Sequence, residues 1–235
     1  MIKSYLNNIK KTFNDLNYFE KFFITFPIFA IIGSFAINIF YLSMVVLFVY
    51  SLCEKINIAY YKSYFFFCFL TFLIIIFSFI LSDFKNTLSF TRTIFSFRFF
   101  LIVMIFLVFV KNKKFFLLLG QISYILLLFL SSDIIFQYFF GFDFFGFEPY
   151  AINRYSGFFD EELIAGSYLA TFYLFSIIYI YSDYKFSKFI IFFIIVFCAT
   201  IITGERLALL KFLFLNFGII VFLIKGFKKK LLFAF

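Results

Sequence analysis

Long uncharged apolar runs, broken by short polar segments, fill this sequence from residue 22 onward. The first runs from Phe22 to Cys53. At the helical rise it would be about 48 Å long, too long for one simple crossing of a hydrocarbon core about 30 Å thick. Gly33, Ser34 and Asn38 lie in its middle, so the pattern predicts a tight hairpin of two short helices, 22–35 and 38–53, with one long tilted helix as the alternative. Further runs predict spans over 65–81, 94–110, 115–130, 163–181, 188–202 and 207–224. The segment 1–21 is polar and mixed in charge, and 131–162 is read as an outer loop whose aromatic and acidic centre dips into the membrane interface. Leu231–Phe235 resumes an apolar run and reads as the start of a ninth helix, as in a truncated chain, or as an interfacial anchor. The fold class that follows is all-α, a polytopic integral membrane protein of about eight transmembrane helices.

Charge orients these spans. With the N-terminus inside, the cytoplasmic segments carry Lys3, Lys10, Lys11 and Lys21, then Lys55 and Lys62, then Lys111, Lys113 and Lys114, then Lys185 and Lys188, then Lys225 and Lys228 to Lys230. The outer segments carry Lys85, Arg92, Arg154 and Arg206 together with Asp133, Asp143, Glu148, Asp160, Glu161 and Glu162. Basic residues concentrate on the cytoplasmic side of short loops. Merging 22–53 into one helix would set the N-terminus and the later loops in conflict, so charge also favours the hairpin. The net charge of +9 is thereby explained as a topology signal, and no nucleic-acid partner is needed. No short apolar stretch with a cleavage site opens the chain, so the first span doubles as the insertion signal.

Composition narrows the chemistry. Hydrophobic residues make up 65% of the 235 and charged residues 14%, with a mean hydropathy of +1.08. A water-soluble domain of this size has too much surface to hide that apolar load. The 50 phenylalanines are read as drift toward AT-rich codons rather than as an aromatic binding surface. The three cysteines, Cys53, Cys68 and Cys198, lie in or at the ends of apolar runs without motif spacing, and read as small buried apolar residues. Histidine is absent, which removes the commonest general base and metal ligand. No metal, cofactor or nucleotide fingerprint is expected.

The remaining candidates are cationic. Arg154 lies on the outer side in Asn153-Arg154-Tyr155-Ser156-Gly157-Phe158-Phe159-Asp160, directly before a helix. Gly157 permits a turn that other residues resist, and Asp160 or Glu161 is placed to cap the following helix. Arg154 serves either as an interfacial side chain reaching headgroups or as an anion ligand. The shortest outer loop is Thr203-Gly204-Glu205-Arg206. Arg206 begins a helix, where its charge opposes the helix dipole, and Glu205 beside it offsets this, read first as a local salt bridge. Lys211 lies deeper on the same helix, and Arg98 sits one turn inside its own. Ionisable groups inside a span are costly and face an interior or a polar cavity unless they snorkel. Arginines near one membrane face suit phosphate oxygens, which they bind in pairs.

These residues carry a resemblance. Arg154-Tyr155-Ser156-Gly157-Phe158-Phe159, then six residues, then Gly166-Ser167-Tyr168-Leu169-Ala170, resembles the bacterial O-antigen ligases and polysaccharide polymerases. Those proteins show an arginine, an S-G-x-F turn, an N-P-N-like stretch and a helix opening with G-x-Y-L-A. The run Thr203-Gly204-Glu205-Arg206-Leu207-Ala208-Leu209-Leu210 resembles their T-x-S-R-G-A-L-L, with Arg206 on the family's arginine. The departures are Asp160-Glu161-Glu162 in place of the N-P-N-like stretch, and Glu205 and Leu207 in place of small residues beside the arginine. The resemblance covers nearly all of this chain but only the N-terminal part of such a protein, whose later outer loop carries further functional groups. It implies a membrane glycosyltransferase of the bacterial inner membrane, with the chain incomplete and inactive alone. The donor is a saccharide on undecaprenyl diphosphate. A sugar hydroxyl, on lipid A core or a growing glycan, attacks the anomeric carbon, and undecaprenyl diphosphate leaves. Arg154 and Arg206 are then the catalytic groups that stabilise the leaving charge, with Arg98, Lys211, Glu205, Gly157 and Asp160 around the substrate. Two other classes stay open. One is a transporter of anionic, polyprenyl-linked lipid, which would call for broken or inverted helices. The other is a non-catalytic remnant or subunit of a split enzyme.

Overall fold

The computed structural model describes residues 12–52, 62–81, 103, 105–106, 110, 112–151, 154–159, 164–182 and 186–223, and the described residues are helical with no strand. Contacts divide the chain into two compact units, residues 14–112 and a second made of residues 1–13 and 113–235.

In the first unit, α1 (Tyr18–Phe23), α2 (Phe26–Ile32), α3 (Ser34–Leu52) and α4 (Lys62–Leu81) follow one another. Asn17 starts α1 with a capping box. Its Oδ1 accepts the Glu20 amide at 2.8 Å, while Glu20 Oε2 accepts the Asn17 amide at 3.0 Å. The other oxygen of Glu20, Oε1, accepts the amide of Asn112 at 2.9 Å, tying together two ends of this unit. Gly33 stands at φ 114°, a left-handed region that favours glycine, and the chain reverses there. The reversal is read from the rings. Phe22 and Phe40 stack with centroids 4.9 Å apart, although a continuous helix would separate them by about 27 Å. Phe23, Phe26 and Phe29 also surround the fully buried Phe40. The turn therefore sits at Gly33 rather than near 36–37, and the helical stretch before it is itself broken between Phe23 and Phe26. The predicted span 94–110 lies almost wholly outside the described residues, Arg98 included.

The second unit holds α5 (Lys113–Phe140), α6 (Ala165–Ser182), α7 (Phe186–Ile202) and α8 (Arg206–Leu223). Helix α6 packs against the other three, and α5 also packs on α7. Helices α5 and α6 are antiparallel: Gly120 meets α6 near Phe175 and Tyr179, while Phe159, after the end of α5, meets Tyr168 near the start of α6. Helix α8 runs parallel to α6, since Gly166 faces Ala208 and the Tyr173 hydroxyl donates to Asn216 Oδ1 at 2.9 Å further along. One end of the unit thus gathers the end of α5, the loop after it, the start of α6 and the α7–α8 turn.

One boundary differs from the sequence reading. Helix α5 is 28 residues long and continues ten residues past the predicted end at Leu130, so Ser131, Ser132 and Asp133 are helical and not the opening of a loop. Ser132 is exposed, with its hydroxyl bonded back to the Leu128 carbonyl, while the polarity of its neighbours points inward. Ser131, Asp133 and Gln137 are buried, as are Gln121, Ser123, Ser176, Thr200, Thr203 and Asn216. Large apolar side chains cover the outside instead, Leu207 at 74% exposure and Phe214 at 66% among them. Polar groups within and apolar groups without suit a hydrocarbon surrounding. Helices α5 and α6 are each long and apolar enough to cross a membrane. Cys198, expected to be buried, is free and exposed on α7.

Close approach at Gly120 holds α5 to α6. A Cβ there would stand 2.4 Å from the Phe175 carbonyl oxygen and 2.9 Å from Tyr179 Cβ. Small residues permit such contact between apolar helices. Gly120→Ala is expected to cost about 1–3 kcal/mol through overpacking. Thermal unfolding in detergent measures it, and an unchanged midpoint would mean that the helices part freely.

Candidate functional site

The loop after α5 is built on that helix's last turns. Asp133 and Gln137 are one turn apart and share a face. Asp133 Oδ1 accepts the Phe144 amide and Oδ2 the Phe158 amide, both at 2.8 Å. Gln137 Oε1 accepts the Gly157 amide at 2.9 Å, and Gln137 Nε2 donates to the Phe147 carbonyl at 3.2 Å. Asp143 folds the tip by accepting the amides of Phe145 and Phe147 with Oδ1. Gly157, at φ 55°, is required twice over. Its conformation favours glycine, and a Cβ would meet Asp133 Oδ2 at 2.6 Å. Arg154 is held just before this turn by a bond from its amide to the Ala151 carbonyl at 3.0 Å, and its side chain is exposed.

The second half of the site is the α7–α8 turn. Glu205 straddles the start of α6: Oε1 accepts the Gly166 amide at 2.7 Å and Oε2 the Ser167 amide at 3.1 Å. It is an N-terminal cap supplied from 39 residues away in sequence. One expectation is corrected here. Glu205 spends both oxygens on α6 amides rather than forming the local salt bridge expected with Arg206. Glu205 accepts the first amides of α6, and Asp160 and Glu161, expected from the sequence to cap this helix, lie outside the described residues. A carboxylate supplied by the adjoining turn satisfies amides that the local chain was expected to cover. Gly166 makes this possible, because a Cβ there would stand 2.7 Å from Thr203 Oγ1, 2.9 Å from Ala208 Cβ and 3.1 Å from Glu205 Cβ.

Arg154, Gly157, Glu205 and Arg206 thus lie at one end of the second unit. Arg206 is the first residue of α8 and is exposed. Lys211 lies five residues on, about 7.5 Å further along α8, also exposed. Sequence reasoning missed Asp133, Gln137 and the close approach at Gly166. The spacing of Asp133 and Gln137 on the face that continues Leu127 and Leu130 was the available signal for the first two. Comparison with protein-family models, with curated proteins and with solved structures finds no match.

Proposed function

We propose that this chain is a multi-pass protein of a bacterial inner membrane, of about eight spans with a cytoplasmic N-terminus, and that it takes part in assembling O-antigen or another surface polysaccharide. It binds a saccharide carried on undecaprenyl diphosphate, and Arg154 and Arg206 receive the diphosphate as the sugar moves to a hydroxyl acceptor. The observation that carries this reading is the double Glu205 cap on α6. It joins two of the three segments on which the family resemblance rests, Gly166–Ala170 and Thr203–Leu210, and sets Arg206 at the same end of the unit as the Arg154 loop. Two exposed guanidinium groups at that end match a ligand with two phosphates. Arg98 and Asp160 enter the proposal from the sequence alone.

Donor binding tests it, with undecaprenyl-diphosphate-linked saccharide and purified protein in nanodiscs. Arg154→Ala and Arg206→Ala are each expected to weaken binding about tenfold, the worth of one charge-assisted contact. The lysine variants keep the charge and lose the fork, so a smaller loss is expected. If both alanine variants insert normally and bind like the parent, the diphosphate site is wrong.

A further inference from the structure

Helices α6 and α8 run parallel and leave between them a groove of about 810 Å³ lined by both. That volume is within the range of about 300–1,000 Å³ typical of sites that enclose a small ligand. Its walls are apolar along most of their length, with Leu174, Ile178 and Phe214 among them. Lys211 is the exception in charge, and it lies toward the end nearer the α7–α8 turn. Among the described residues Lys211 makes no ion pair. From Leu210 to Ile219 the groove follows α8 for about 14 Å, close to half of a hydrocarbon core about 30 Å thick. Gly218 keeps the far end open, since a Cβ built there meets nothing within 4 Å.

We propose that this groove binds one acyl chain of an anionic bilayer phospholipid, whose phosphate is held by Lys211. Charge complementarity selects the occupant: one cation at the mouth of an apolar trough fits an apolar chain with an anionic head. A lysine about 7.5 Å inside the start of its helix reaches the headgroup level by snorkelling, with its stem along the groove wall. A single lysine matches one phosphate, whereas a diphosphate calls for several paired donors. The length suits one chain in one leaflet rather than a long polyprenyl tail. This lipid site is therefore separate from the arginines assigned to the donor.

Native mass spectrometry of the full chain, released from vesicles of equal phosphatidylglycerol and phosphatidylcholine, is the test. The parent is expected to retain phosphatidylglycerol about fivefold over phosphatidylcholine, the worth of one basic residue near an anionic headgroup. Lys211→Gln should bring the ratio near one, and Lys211→Arg should restore it. Gly218→Leu should lower retention of both lipids by filling the groove, while binding of the diphosphate donor stays at the parent level. The proposal is overturned if Lys211→Gln keeps the preference, if Gly218→Leu retains lipid like the parent, or if equimolar undecaprenyl phosphate displaces the phosphatidylglycerol.

Discussion

Glu205→Ala is expected to lower the stability of the second unit by about 2–4 kcal/mol, because two helix-start amides lose their acceptor at once. The Gly166 and Ser167 amides bond to its two oxygens at 2.7 and 3.1 Å, and Gly166 is buried. An unpaired buried donor costs about 1–3 kcal/mol, and a carboxylate at a helix start adds a favourable charge–dipole contact that is lost with it. Glu205→Gln keeps one acceptor oxygen and turns an amide donor toward the other N–H, so an intermediate loss is expected. Gly166→Val should act through the same joint, since its added atoms meet Thr203 and Ala208 at distances that real contacts do not reach. Thermal unfolding in detergent reads the stability, and hydrogen exchange reads the first turn of α6. A Glu205→Ala protein that melts with the parent and protects the Gly166 and Ser167 amides equally would show that the cap is dispensable. The double variant of Gly166→Val with Glu205→Ala should cost less than the sum of the two, because both break one contact.

The sequence reads well where apolar runs are bounded by real turns. Helices α6, α7 and α8 occupy the apolar runs at 163–181, 188–202 and 207–224, and the reversal in the first run falls on Gly33, one of the three residues that interrupted it. It reads badly where polarity faces inward. Ser131-Ser132-Asp133 have the composition of a span leaving the membrane, and hydropathy cannot separate water-facing from interior-facing polar groups. Periodicity separates them. Leu127, Leu130, Ile134 and Gln137 continue one helical face beyond the point where hydropathy falls. The Glu205 cap was out of reach for another reason. Its partners lie 38 and 39 residues away, and no local rule pairs a turn with the start of a helix two elements earlier. Adjacent opposite charges made the Arg206 pairing the obvious reading, yet an exposed ion pair is worth at most about 1 kcal/mol. Two helix-start amides offer the same carboxylate more, and that difference decides the geometry.

Asp133→Ala is expected to release the loop 141–159 while leaving the four helices folded. Asp133 is buried on α5 and bridges the two limbs of that loop, through Phe144 on the way out and Phe158 on the way back. Removing it strands both amides, at about 1–3 kcal/mol each where they stay dry, so a total of about 2–4 kcal/mol is expected because both bonds are only partly buried. Asparagine is not a conservative substitute, since its amide group would point a donor at one of the two N–H groups. The helical body should survive because α5, α6, α7 and α8 keep their mutual packing, with Gly120 against Phe175 and Tyr173 bonded to Asn216. Limited proteolysis separates the two levels. Cleavage between 141 and 159 should appear in Asp133→Ala at protease levels that leave the parent intact, while circular dichroism keeps its helical amplitude. An unchanged digestion pattern would mean that Gln137 and Asp143 hold the loop without Asp133. The same variant also reaches the proposed site through Arg154, which stands on the returning limb beside Gly157. Donor binding should therefore fall with the released loop as far as it does in Arg154→Ala, although Asp133 touches no ligand. Combining the two substitutions should then lower binding no further than either one alone. Losses that add would place the effect of Asp133 elsewhere than in the position of Arg154.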